Sequence, residues 1–142
     1  MTEPLDAVRD LSDAFAARDL GAALACFVPG DDIGYAGSER DETATGRDAL
    51  TALLGKVFLR DEAYAWTVTG ATVHRYGAHA YLLAEADGLV RADSGARDRF
   101  PYRVSGVVEL IDGRWRWRHC QGAEPCAQLT LEPEIDGSPL PR

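Results

Sequence analysis

The stretch Phe100–Gln121, FPYRVSGVVELIDGRWRWRHCQ, decides the fold. Asp112-Gly113 stands between two runs rich in β-branched and aromatic residues, and Asp-Gly in that setting is the strongest short-range hairpin signal. The second run sets Arg114, Arg116 and Arg118 against Trp115, Trp117 and His119. A strand sends alternate side chains to opposite faces. The arginine face therefore meets water, read as a solvated stripe cross-paired to Glu109 and Asp112, with an anion site as the alternative. The other face presents two indoles and an imidazole to an enclosed space.

Period two extends upstream. Ala63 to Arg75 and Ala78 to Val90 read as long strands around a Tyr76-Gly77 turn, and Asp93-Ser94-Gly95 makes the next turn. Before Ala63 the period is helical. Leu5, Val8, Leu11 and Phe15 share one helix face, with Thr2 as N-cap and Pro4 in the first turn. Asp19 caps a second, short helix with Leu20, Ala23, Leu24 and Phe27 on one face, and Pro29-Gly30 ends it. Asp32 to Gly37 is a short strand, the polar segment Ser38 to Thr45 a loop, and Gly46 precedes a third helix with Leu50, Leu53, Leu54 and Val57 inward. Three helices followed by a long antiparallel meander require the sheet to curl over the helices' apolar faces. The expected class is α+β: a conical curved antiparallel sheet wrapped around three N-terminal helices, with an internal pocket at the open end.

At 142 residues the chain suits one domain with a real core, and four of its seven prolines (Pro125, Pro133, Pro139, Pro141) fall after Gly122. The division is a domain over 1–124 and a Pro-rich C-terminal extension over 125–142, ordered as an edge to about Ile135 and frayed beyond. A net charge of -8 repels phosphate backbones and anionic lipid, so neither nucleic acid nor membrane is an expected partner. No apolar run approaches the ~20 residues that span a bilayer. MTEPLDAV has no basic n-region and no apolar h-region, so no secretory signal is expected. Cys26, Cys120 and Cys126 are odd in number without CxxC spacing, which fits reduced thiols in a cytoplasm. Lys56 is the only lysine beside fourteen arginines, a composition that points to a GC-rich bacterial genome.

Three pieces, AFAARDLGAALACF, IGYAGSERDETATGRDAL and YRVSGVVELIDGRWRWRH, stand in an order that resembles the SnoaL-like branch of the nuclear-transport-factor-2-like superfamily, the ketosteroid-isomerase-like fold. The resemblance covers Leu5 to about Glu124. It implies the conical barrel, a pocket between concave sheet and helices, and homodimerisation through the sheet. It does not imply one activity, since the superfamily holds isomerases, cyclases, epoxide hydrolases, dehydratases and binding proteins. The isomerase pattern asks for an aspartate at the end of the first strand, a first-helix tyrosine and a late-strand acid. Here Tyr35, Leu11 and Ser105 or Gly106 stand there, so that mechanism does not carry over. The cyclases use a late-strand aspartate. This chain has no carboxylate on its last strand before Glu124, and His119 is available for the same task. The epoxide-hydrolase Asp-Arg-Asp arrangement has no counterpart, because Arg97-Asp98-Arg99 lies beside a turn.

His119 is the leading candidate for proton transfer, since an imidazole titrates near neutral pH; the plain alternative is a core histidine bonded to a tyrosine or the backbone. Glu85 lies in the apolar run AYLLAEA. Facing inward it is a desolvated acid suited to general acid/base work, and in the other parity it is a surface carboxylate. Tyr35, Tyr81 and Tyr102 offer hydroxyls, and Trp66 and Trp117 apolar walls, for a bound ligand, or else ordinary core. His74 and His79 are expected at the surface. The dispersed histidines lack ligand spacing, so no metal and no cofactor is expected. The functional expectation is a cofactor-independent isomerase-, cyclase- or dehydratase-type enzyme acting by proton transfer on a small apolar molecule. The alternative is a non-catalytic binding or dimerisation module with the same aromatic pocket. The phase of each strand rests on where bulges fall.

Overall fold

The computed structural model describes residues 2–127, so the expected course of the Pro-rich extension lies outside the described residues beyond 127. Three helices, α1 (Asp6–Ala17), α2 (Leu20–Ala25) and α3 (Arg47–Phe58), pack under six strands, β1 (Gly34–Ala36), β2 (Thr43–Thr45), β3 (Glu62–Tyr76), β4 (His79–Ala92), β5 (Arg97–Ile111) and β6 (Arg114–Ala123). The strands form one curved, unclosed sheet in the order β2-β1-β6-β5-β4-β3. This is the expected α+β cone with two amendments. The sheet is mixed, because β1 runs parallel to β6. Thr43–Thr45, expected within a loop, pairs with β1 as β2.

Local chemistry accounts for the helix ends. Asp19 caps α2 by accepting from the Ala22 N–H at 3.0 Å. The turn between α1 and α2 is made by Arg18 at φ 51 and ψ 41, the left-handed conformation that ends a helix. Thr2 does not cap α1. Leu5 holds the N-cap position without a side-chain bond, and the Thr2 hydroxyl donates to the Gly113 carbonyl at 3.0 Å.

Two bulges set the phase of the sheet. Val68 pairs with Ala86 but Gly70 with Glu85, so Thr69 is an extra residue in β3. Val107 pairs with His119 but Val108 with Trp117, so Arg118 is an extra residue in β6. Each insertion turns every later side chain of its strand to the opposite face. Gly106, at φ 145 beside the second bulge, would place a Cβ 1.9 Å from the His119 carbonyl oxygen, which leaves no room for a side chain.

The core lies between the concave face and the helices. Trp115 and Trp117 are buried as expected. Trp117 also ties the layers together. Its Nε1–H donates to the Ala7 carbonyl at 3.1 Å, while its backbone bonds Cys26 and Val28. On the opposite side of the core, the Ser12 hydroxyl bridges the backbone N–H and carbonyl of Trp66, both at 2.9 Å, and joins α1 to β3. The expected pairing of Glu109 with the arginine face is present, through Arg118.

Candidate functional site

Above this core, at the open end of the cone, a cavity of about 80 Å³ is lined by side chains from every layer. Phe15 comes from α1, Val57 from α3 and Arg60 from just beyond it. Tyr35 comes from β1, Tyr64 and Trp66 from β3, and Phe100 and Tyr102 from β5. Ser38, Glu39 and Glu42 reach it from the β1–β2 connection, and Glu124 from the end of β6.

The floor is an aromatic cluster. Trp66 lies 5.1 Å from Phe15 and 5.4 Å from Tyr102, centroid to centroid, and Phe100 meets Tyr102 edge-on at 5.6 Å. These contacts and the Trp66 Nε1–H bond to the Val8 carbonyl at 3.2 Å fix the floor before any ligand arrives. At the floor Tyr35 and Tyr102 are buried, and neither hydroxyl has a hydrogen-bond partner among the described residues. Burial pushes both phenols up, so near neutral pH each stays protonated and able to donate.

Glu42 is the buried acid among the three that line the site. It is 9 % exposed, and burial raises its pKa above the ordinary glutamate value. Its Oε1 accepts from the Glu39 N–H at 3.0 Å, and the Gly37 N–H donates to its carbonyl at 2.7 Å. A Cβ on Gly37 would sit 2.9 Å from the Cβ of Glu42, so the bare glycine gives the carboxyl its seat. At the rim, Arg60 holds Glu39 through both guanidinium nitrogens, at 3.2 and 2.9 Å, and donates to the Tyr64 hydroxyl at 3.3 Å. Tyr64 in turn donates to Glu62. Arg60 and Glu39 are thus paired at the rim, while Glu42 and Glu124, the other carboxylates of the lining, lack such a partner among the described residues. A carboxyl with a raised pKa beside two protonated phenols is equipped to give and take a proton while the phenols hold an oxygen.

Of the residues expected at a site from sequence, Tyr35, Trp66 and Tyr102 meet in this cavity. Four do not. His119 is exposed on the convex face, because the Arg118 bulge reverses the alternation that put it beside Trp117. Glu85 takes the outward parity and pairs with Arg103 at 2.8 Å. Tyr81 is 48 % exposed on the convex face, stacked on His74 at 4.8 Å. Trp117 is fully buried in the core beneath rather than in the cavity wall. Glu42 and Arg60 were not anticipated. The available signal for Glu42 was the short alternation in which it shares a face with Ala44, with Thr43 and Thr45 opposite. Among the described residues no group of three or more His, Cys, Asp or Glu is placed to hold a metal ion. No described helix is long and apolar enough to cross a membrane.

The comparisons with known proteins agree with this architecture. The chain resembles a candidate dehydratase of the nuclear-transport-factor-2-like family from Streptomyces avermitilis, with TM-score 0.71, 13% identity and coverage of 85% of this chain and 92% of that one. It resembles a candidate scytalone dehydratase from Novosphingobium aromaticivorans equally well, at 0.71 and 14% identity over 94% and 91% of the two chains. A ketosteroid isomerase-like protein from Erwinia carotovora atroseptica superposes at 0.62 with 20% identity, over 89% and 100%. At such identities these likenesses speak for the fold. No curated protein matches the sequence. The SnoaL-like domain model matches residues 5–126, and the chain belongs to that family.

Proposed function

We propose that this protein is a cofactor-independent enzyme of the isomerase, cyclase or dehydratase type, acting by proton transfer on a small apolar molecule held in the cavity. The observation that carries the reading is the buried Glu42 carboxyl, with its raised pKa, in a cavity that also contains the Tyr35 and Tyr102 hydroxyls, which have no partner among the described residues. Glu42 is the acid/base, in the role that sequence reading gave to His119. The phenols donate to a carbonyl or hydroxyl oxygen of the ligand, and Trp66, Phe15 and Phe100 enclose its apolar part. At about 30 Å³ per water, a space of about 80 Å³ holds roughly three water molecules, so the enclosed part of the ligand is at most one small ring rather than a fused polycycle.

Solvent hydrogen exchange tests the reading without a known substrate. Cyclohexanone, 2-cyclohexenone and acetophenone, incubated with the protein in D2O, are expected to gain deuterium next to the carbonyl. Glu42→Gln is expected to abolish the gain. Binding of these ketones without exchange would instead favour the non-catalytic module, and exchange that survives Glu42→Gln would remove Glu42 from the mechanism.

The same reading includes a homodimer through the sheet. Its support is the convex-face aromatic stack, in which Tyr81 lies 4.8 Å from His74 and 6.1 Å from Tyr76, with Tyr76 65 % and Leu83 46 % exposed. Contiguous exposed apolar surface of this kind marks an interaction face.

A further inference from the structure

Trp66, Gly88 and Phe100 stand in one row across the sheet: Trp66 on β3 pairs with Gly88 on β4, and Gly88 with Phe100 on β5. Directly paired residues share a face, so the row belongs to the concave side, where Trp66 and Phe100 line the cavity. Between two large rings, the middle position has no side chain. A Cβ built on Gly88 would lie 2.2, 2.4 and 2.6 Å from carbons of the Phe100 ring, so the ring rests where a side chain would stand. Gly88 is buried, and the half-buried Phe100 is its cover.

This seat shapes the cavity. Gly88 is not in the left-handed region, so packing under the ring, rather than backbone conformation, accounts for the glycine. The β4 floor that leads up to it is also small, since Ala84 and Ala86 occupy the preceding positions on the same face. A floor without side chains leaves a slot that takes a flat ring, and the protein fills that slot with its own Phe100. The next row on the same face, Tyr64 paired with Val90, bounds the slot on one side, and Trp66 bounds it on another. Phe100 is held there by its edge-on contact with Tyr102 at 5.6 Å.

We infer that Phe100 is the residue that sets the size of the ligand: by occupying the slot over Gly88 it limits the cavity to a single ring. The inference rests on the cavity being the ligand site and names the side chain that makes it exclude a second ring. A ligand with two fused rings needs the volume that the Phe100 side chain takes up, beyond the cavity's own volume of about 80 Å³. The ring is packed between the Gly88 backbone and Tyr102, so pushing it aside to admit such a ligand costs packing energy.

The test compares phenol with 2-naphthol, the same phenol extended by one fused ring, by calorimetric titration. The wild-type protein is expected to bind 2-naphthol about tenfold more weakly than phenol, or more weakly still. Phe100→Ala is expected to erase or reverse that preference, because the vacated slot takes the second ring. Adding Gly88→Val to Phe100→Ala refills the slot from the facing strand and is expected to restore the preference for phenol. Where circular dichroism shows Phe100→Ala to be unfolded, Phe100→Leu carries the same test, with a gain in the same direction. Equal binding of the two compounds by the wild type, a preference for phenol that survives the shortening of Phe100, or a gain that persists after Gly88→Val would overturn the inference and leave the cavity reading intact. Failure of both compounds to bind any of these proteins would overturn the cavity reading and this inference with it.

Discussion

The hydroxyl of Tyr102 occupies the space that a side chain on Gly122 would need: a Cβ built there lies 1.9 Å from the phenol oxygen. Gly122 is on β6 directly opposite Val104, two residues along β5 from Tyr102 and on the same face. The glycine lets the phenol lie over the sheet beside the cavity that Tyr102 lines. The position is constrained by packing, since its φ is not in the left-handed region.

Gly122→Ala therefore forces Tyr102 out of its seat. Overpacking a well-filled site costs about 1–3 kcal/mol. Thermal denaturation should show the lower midpoint, and the affinity for a cavity probe such as phenol should fall with it. A variant as stable as the wild type, with unchanged phenol binding, would show that the Tyr102 ring has room to move.

Glu42 links stability to pH. Its folded pKa is raised, so its contribution to stability is fully present below the unfolded value of about 4.3 and is lost as pH rises through the folded value. Gln at this position does not titrate and keeps an oxygen for the Glu39 N–H. The midpoint of Glu42→Gln relative to wild type should accordingly rise between pH 4 and pH 8. A constant difference across that range would mean that the carboxyl is not desolvated.

His119→Ala should leave stability within about 0.5 kcal/mol and leave deuterium exchange and phenol binding unchanged. The imidazole is on the convex face beside Gly34, where a Cβ would lie 3.0 Å from Nδ1. Loss of exchange in this variant, measured beside Glu42→Gln, would return the proton-transfer role to the last strand.

Tyr81→Glu places a charge in the middle of the exposed aromatic stack. Sedimentation should show a dimer for the wild type and a monomer for the variant, with far-ultraviolet circular dichroism unchanged. A wild type that sediments as a monomer at all concentrations would remove the sheet-mediated dimer.

These outcomes also bear on what a sequence can disclose. The helix order, the Asp112-Gly113 hairpin and the inward Trp115 and Trp117 were legible because hydrophobic period and turn chemistry act locally. The phase of the strands beyond Thr69 and Arg118 was not. A bulge is a backbone event that depends on how two strands must bend together, and its only trace here is a neighbouring glycine, Gly70 or Gly106. One inserted residue moved His119 from the cavity side to solvent. Three of the seven expected site residues, Tyr35, Trp66 and Tyr102, kept their expected place, and all lie on the unbulged part of their strands. Glu42 was hidden for a different reason. Thr43–Thr45 is too short and polar to announce itself as a strand, and only pairing with β1 turns its neighbour inward.

The central claim is that Glu42 is a desolvated acid at a ligand site, and the most direct measurement is a carbon-13 NMR titration of its side-chain carboxyl with and without phenol. The expected result is a midpoint above the ordinary glutamate value of about 4.3, and a Glu42 signal that moves when phenol is added. A midpoint at or below that value, with a signal indifferent to phenol, would contradict the account.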